Sequence, residues 1–218
     1  MTNQPRNERE ITPLDRYVID LFAPEDAALR WIQAEADRNE LPHISLQAYE
    51  GKTLHLLITA IGARKALEIG ALAGYSGVWI ARALPADGKL ITLEKSSKHA
   101  SVARASYQHA GVGHKVTLIE GAALDLLPGL KSEAPFDLAF VDADRANYVN
   151  YFHWISEALR PGGILVVHNA FANGHILSPQ SDDDRGMAAF QKELAHDSRF
   201  DSNILGVGDG MVVAVKKR

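Results

Sequence analysis

The chain of 218 residues carries 23 Lys and Arg against 27 Asp and Glu, a formal net charge of −4 that lacks the basic excess of a chain built to coat nucleic acid or an acidic membrane. With 46% hydrophobic and 23% charged residues the composition is that of a globular core, which excludes a disordered tail protein. The absence of cysteine excludes a disulfide scaffold, a thiolate metal site and a cysteine nucleophile together. No apolar run reaches the about 18 residues of a membrane helix, and the polar start Met1-Thr2-Asn3-Gln4 has no apolar leader stretch. The expectation is a cytoplasmic protein folded as one domain.

Residues 1–62 read as a helical extension. Leu14, Tyr17, Val18, Leu21 and Phe22 recur at three-and-four spacing, and Pro24-Glu25-Asp26 opens a second run through Ala27, Leu29, Trp31 and Ile32. After a turn at Leu41-Pro42-His43, Leu54, Leu57, Ile58 and Ile61 form a third run, which Gly62 is placed to end as a C′ residue. Residues 63–218 change to short apolar strands alternating with helices. Strands are predicted at Lys65–Ile69, Lys89–Glu94, Lys115–Glu120, Phe136–Val141 and Gly163–Val167, and helices at 75–84, 97–110, 122–130 and 147–159. Such alternation specifies right-handed βαβ units and a parallel sheet covered on both faces. Asp182-Asp183-Asp184 reads as the solvated cap of a helix start. Asn203–Val207 and Met211–Val215 flank Gly208-Asp209-Gly210, so a hairpin should finish the sheet with antiparallel pairing.

Two places combine residues able to bind a ligand. In Glu68-Ile69-Gly70-Ala71-Leu72-Ala73-Gly74-Tyr75-Ser76 a strand ends, a glycine-containing loop follows and a helix starts, which lets the backbone approach a ligand at the carboxyl edge of the sheet. The same segment read alone is also compatible with a plain strand–helix turn. Leu72 occupies the middle glycine position of a G-x-G-x-x-G pattern and no Gly-Lys-Ser/Thr follows, so neither a dinucleotide fingerprint nor a P-loop is present. Glu94 closes the next strand, where a carboxylate can accept both hydroxyls of a ribose. An acid for ribose without a cradle for pyrophosphate points to a nucleoside without phosphates, and S-adenosylmethionine is such a ligand.

That loop, the segment Phe140-Val141-Asp142-Ala143-Asp144-Arg145-Ala146-Asn147-Tyr148, and Leu159-Arg160-Pro161-Gly162-Gly163 closely resemble the small cation-dependent O-methyltransferases. These are the class I, Rossmann-like methyltransferases of the caffeoyl-CoA and catechol type. The resemblance runs from about Leu46 to the C-terminus, including Gly206-Val207-Gly208-Asp209-Gly210. It implies a seven-stranded, mostly parallel sheet with the last strand antiparallel, helices on both faces, and S-adenosylmethionine as cofactor. By the same resemblance Leu46, Glu68, Gly70, Tyr75, Ser76, Glu94, Ala122 and Asp142 are expected around that cofactor, Asp142 also serving a metal.

The resemblance breaks at two positions. Where the family reads Val-Val-Asp-Asn after the fifth strand, this chain has Val166-Val167-His168-Asn169, so the implied metal ligands become Asp142, His168 and Asn169. Imidazole in place of a carboxylate would favour a Mn- or Zn-type ion over Mg. His168 has two further readings, a general base and a satisfied polar residue at a strand end. Arg145 stands where the family commonly has a lysine beside the reacting hydroxyl, and a guanidinium cannot take a proton at neutral pH. Arg145 is expected to act electrostatically on the acceptor, the alternative being a pair with Asp144. Asp142, Arg145 and His168 are the catalytic candidates.

The remaining histidines carry weaker signals. His153 and Trp154 are expected to pack, and His99 and His109 to lie on a surface helix. His175 falls in Phe171–Pro179, matching a variable loop over the acceptor; Phe171, Tyr148 and Tyr151 could stack on an aromatic ring or simply pack. The expected activity is methylation of a hydroxyl on a small aromatic, catechol-like acceptor. A tRNA hydroxyuridine-type acceptor is disfavoured by the acidic balance, and a non-catalytic S-adenosylmethionine binder stays open because of His168 and Arg145. Family habit and the apolar Tyr17, Phe22 and Trp31 of the extension imply a homodimer.

Overall fold

The computed structural model describes residues 11–218. Among the described residues three helices precede the first strand: α1 (Pro13–Phe22), α2 (Ala27–Arg38) and α3 (Ala48–Ala60). Thr12 caps α1 through a capping box with Asp15, and Asp26 accepts the Leu29 N–H to start α2. Gly62, at φ 60, follows α3 as its C′ residue. The part of the helical extension that falls on residues 1–10 lies outside the described residues.

The strands are β1 (Lys65–Ile69), β2 (Lys89–Glu94), β3 (Val116–Glu120), β4 (Phe136–Val141), β5 (Leu159–Val167), β6 (Phe200–Leu205) and β7 (Met211–Lys216). They form one seven-stranded sheet in the order β3-β2-β1-β4-β5-β7-β6. The first five strands pair in parallel, and β7 runs antiparallel to both β5 and β6. Strand residues alternate between two cores. Ala66, Leu138, Phe140 and Val166 face the layer of α2, α3 and α4 (Tyr75–Ala83), whereas Leu67, Ile69, Ala139, Val141 and Val167 face α7 (Tyr148–Ala158) and α8 (Asp182–His196). Burial on both faces explains why the central strands read as continuous apolar runs rather than alternating ones.

The order of strands reverses between β1 and β4, and at such a switch point the carboxyl ends of adjacent strands leave a crevice. The first βα loop, the β2 end and the β4 end all open there. Asp137 holds the opposite end of the sheet, accepting the N–H groups of Arg64 and Lys65 at 2.7 and 2.8 Å and the Arg160 guanidinium at 2.5 Å.

Several boundaries differ from the sequence reading. Lys115 belongs to a 3₁₀ turn ahead of β3, and the stretch 122–130 is a short helix, α6 (Ala123–Leu126), that tightens into a 3₁₀ turn at Leu127-Pro128. β5 starts at Leu159, not Gly163, with a register shift against β4 that accommodates Pro161-Gly162. β6 spans Phe200–Leu205 rather than Asn203–Val207, because Gly206 to Gly210 are all used by the loop. Asp184 is not a solvated cap: it is buried, closing a capping box with Ser181 and also accepting the Gln180 N–H. α5 (Ser97–His109) completes the helices, its His109 stacked on Trp31 with centroids 4.1 Å apart.

Candidate active site

A cavity of about 420 Å³ lies at the carboxyl edge of β1, β2 and β4. Its wall includes Leu46, Gly70, Tyr75, Ser76, Glu94, Ala122 and Asp142, seven of the eight cofactor candidates. The loop that shapes it is fixed by backbone conformation. Gly70 sits at φ 97, and a Cβ there would overlap the carbonyl oxygen of Asp142, so only glycine lets the β1 and β4 ends approach. Leu72 takes φ 47, an uncommon value for a branched side chain. That turn aims the N–H groups of Ala71 and Leu72 at Glu94 Oε2, at 3.1 and 2.9 Å. The other oxygen of Glu94 accepts the Ser96 N–H at 2.9 Å. The β2 acid thus locks the glycine loop while facing the cavity. Gly74, left-handed at φ 87, starts α4, whose first residues Tyr75 and Ser76 line the floor.

Glu68 is the exception. It is 0% exposed and does not line the cavity; it lies behind Ser76, whose hydroxyl donates to it at 2.6 Å, as does the Thr92 hydroxyl at 2.6 Å. Burial pushes its carboxyl up to about 7, with the charges of Glu94 and Asp142 adding and the two hydroxyls opposing. Tyr75 ties this region to the N-terminal helices through its hydroxyl, which donates to Glu25 at 2.6 Å.

A second cavity of about 320 Å³ adjoins the first, and Ile44, Ser45 and Leu46 line both. Glu50, Arg145, His168 and Asn169 line it. His168 directly follows β5 and is 4% exposed, yet neither ring nitrogen is free: Nδ1 lies 3.1 Å from Asp142 Oδ2 and Nε2 lies 3.0 Å from Glu50 Oε1. Burial favours the neutral ring, but the Asp142 charge and the hydrogen bonds to Asp142 and Glu50 outweigh it and push His168 up to about 10. With a carboxylate oxygen on each ring nitrogen, the imidazole turns no free lone pair toward an acceptor in this arrangement. Arg145, 5% exposed, has its Nε buried without a hydrogen-bond partner among the described residues. It does not pair with Asp144, which accepts instead from Tyr151 Oη at 2.6 Å and from the Asn147 amide. A desolvated guanidinium facing a cavity is chemistry for an oxyanion.

The donor set does not fit a divalent cation. Asp142 is hydrogen-bonded to one ring nitrogen of His168 and Glu50 to the other, so both nitrogens are engaged within the chain. Among the described residues no three His, Asp, Glu or Cys side chains are grouped to hold a metal ion. Asn169 follows at φ 55 and lines the cavity.

Sequence reasoning missed Glu50, whose partner lies across the fold and whose local signature is only that of a capping-box acid three residues after Gln47. His99, expected on a surface helix, and Asp144, weighed only as a partner for Arg145, both stand on the wall of the larger cavity. Tyr151 lines that cavity too, while Tyr148 is buried in the core against Phe190.

The O-methyltransferase family model matches residues 21–217. The chain belongs to the O-methyltransferase family. A catechol O-methyltransferase of Niastella koreensis is 39% identical over 220 residues, covering 97% of this chain and 100% of that protein. A catechol O-methyltransferase of Mycobacterium tuberculosis is 44% identical over 176 residues, 81% of this chain and 79% of that one. Among solved structures, the O-methyltransferase of Bacillus cereus in complex with SAH superposes with a TM-score of 0.89 at 35% identity, covering 95% of this chain and 98% of that one. TomG from Streptomyces achromogenes, in complex with SAM, gives 0.90 at 35% identity over 97% and 99%. For the described residues, no helix is long and apolar enough to cross a membrane.

Proposed function

We propose that this O-methyltransferase transfers the methyl group of S-adenosylmethionine to a hydroxyl of a small aromatic, catechol-like acceptor. The observation that carries the reading is the pair of adjoining cavities sharing the wall Ile44-Ser45-Leu46, one edged by the ribose-type acid Glu94 and the other by Arg145, whose Nε lacks a hydrogen-bond partner among the described residues. Bound S-adenosylmethionine supplies an electrophilic methyl whose carbon–sulfur bond breaks as the bond to the acceptor oxygen forms, the sulfur keeping the electron pair. Gly70, Ser76, Ala122 and Asp142 are the contacts proposed for it, with Glu94 accepting the ribose hydroxyls and Leu46 packing from the N-terminal side. Glu68 acts from behind, holding Ser76.

The chain's task at the acceptor is to place one oxygen in line and to favour its ionised form. Arg145 does the second: a phenolate beside a buried guanidinium is stabilised relative to the phenol, and its proton leaves to water. His168 and Asp142 fix the wall against which the ring lies. Sequence relatives with catechol and caffeoyl-CoA activities support the aromatic acceptor. Turnover of labelled S-adenosylmethionine with a catechol-bearing acceptor tests the reading: product with a methylated hydroxyl is expected. Tight cofactor binding with no turnover on any phenol would overturn it.

A homodimer belongs to the same proposal. The α1 face bearing Leu14, Tyr17, Leu21 and Phe22 is exposed, an apolar stripe that a second copy would cover. Light scattering after size-exclusion chromatography checks this, a monomer mass being the adverse result.

A further inference from the structure

His168 stands where the family pattern implies a metal-ligating acid, and in the fold both of its ring nitrogens are engaged by carboxylates. A metal takes an imidazole through the lone pair of one nitrogen, and the other nitrogen then donates to an outer partner. Here both nitrogens point at carboxylate oxygens, at 3.1 and 3.0 Å, and one of those oxygens belongs to Asp142, the residue with which His168 would have to share the ion. Glu50 is not free to swing away. Its Oε2 accepts the Gln47 N–H at 2.7 Å in the capping box of α3, and the backbone at Gly208 stands so close that a Cβ there would overlap Oε1. Gly208, at φ 59, is a position that glycine alone fills without strain. Arg145 faces the same cavity, and its fixed positive charge opposes a divalent cation on that wall.

We propose that the Asp142–His168–Glu50 bridge takes the place of a divalent cation in this methyltransferase, closing the ion's position with hydrogen bonds and leaving Arg145 as the group that holds the acceptor oxygen. The inference rests on the second cavity being the acceptor site. It makes Glu50 a positioning residue that acts through His168. It also removes chelation from the reaction: the bond that forms is still oxygen to methyl carbon and the bond that breaks is still carbon to sulfur.

The test starts with the unmodified protein. After dialysis against EDTA and then buffer, Mn²⁺ is titrated in and the free-ion signal followed by electron paramagnetic resonance. Metal content of the protein as purified is measured by mass spectrometry. No stoichiometric metal and no tight Mn²⁺ binding are expected, and turnover should change less than two-fold in EDTA. His168→Asp breaks the bridge and restores an acid, so Mn²⁺ should bind at least ten-fold more tightly than to the wild type. One Mn²⁺ bound tightly per wild-type chain, or activity lost in EDTA and recovered with Mn²⁺, would overturn the proposal. So would a folded His168→Asp variant with no gain in Mn²⁺ affinity. If the variant does not fold, the wild-type titration decides alone. Absence of turnover on every phenol defeats the functional reading without touching the ion measurement, so the two failures are told apart.

Discussion

The buried carboxyl behind the cofactor loop makes a stability signature that can be isolated. Glu68 is 0% exposed, receives the Ser76 and Thr92 hydroxyls at 2.6 Å each, and titrates near 7 in the folded state against an ordinary value of 4.5. Its folded pKa lies above its unfolded one, so between these values the native state holds a proton that the unfolded chain has released. The stability it contributes is therefore complete below about pH 4.5 and is lost as pH rises through 7. At about 1.4 kcal/mol for each pH unit, the loss by pH 8.5 is about 3 kcal/mol. Glu68→Gln cannot ionise; its carbonyl accepts one hydroxyl and the other can rotate to accept from the amide. Urea unfolding of the cofactor-free protein, wild type and variant, at pH 5 and pH 8.5 gives four free energies. Because part of the loss has already occurred by pH 5, the variant should gain about 2–3 kcal/mol on the wild type between the two pH values, a relative midpoint shift of about 1 M urea at an m of about 2–3 kcal/mol/M. Contributions of all other titrating groups cancel in that difference. Parallel pH dependence of the two proteins would refute the reasoning, since it would mean that Glu68 is ionised in the fold without penalty.

Three further perturbations address the site. Gly70→Ala forces a left-handed alanine whose Cβ overlaps the Asp142 carbonyl, so the β1 and β4 ends must separate; calorimetry should show S-adenosylmethionine affinity at least about ten-fold weaker. Arg145→Gln removes the buried guanidinium but leaves the cofactor cavity intact: kcat should fall about 100-fold while the cofactor Kd stays within about two-fold. Tyr75→Phe deletes the 2.6 Å hydrogen bond to Glu25 and frees a carboxyl already near solvent, and thermal unfolding should fall by a few degrees, about 1 kcal/mol.

The sheet was legible in the sequence because its central strands are buried on both faces. Lys65–Ile69, Lys89–Glu94 and Phe136–Val141 read as apolar runs bounded by turn residues, and the structure places them at those bounds. Legibility failed where a strand leaves the core. Phe200 to Ser202 begin β6 with exposed Asp201 and Ser202, so no apolar pattern marks the start, and Pro161-Gly162 hides the first half of β5 behind a bulge. That these residues meet at one cavity was legible for a related reason: Glu94 ends a strand, Gly70 and Asp142 directly follow one, and the topology brings strand ends together at the switch point. Glu68 shows the limit. Residue type and position at the end of β1 match a ligand-binding acid, but the pleat turns its side chain away from the cavity, beneath Ser76.

Glu50 could not be read at all, and it changes what His168 means. Taken from the sequence, a histidine replacing an acid weakens a metal site by one charge and leaves it otherwise intact. In the fold, a second acid arrives from α3, 118 residues before His168, and sits 3.0 Å from the ring. Were position 168 an acid as the family pattern has it, it would stand among Glu50 and Asp142 as a cluster of carboxylates that repel one another unless a cation lies between them. An imidazole with both nitrogens donating removes that repulsion from within the chain. The substitution therefore converts a cluster that needs an ion into one that is internally satisfied, and it does so without moving Asp142, which the first cavity also requires. Arg145 extends the same logic toward the acceptor: a guanidinium is tolerable on a wall that carries no divalent charge, whereas beside a bound metal it would be repelled. The two departures from the family pattern are thus one change, in which positive charge is carried by side chains of the protein itself.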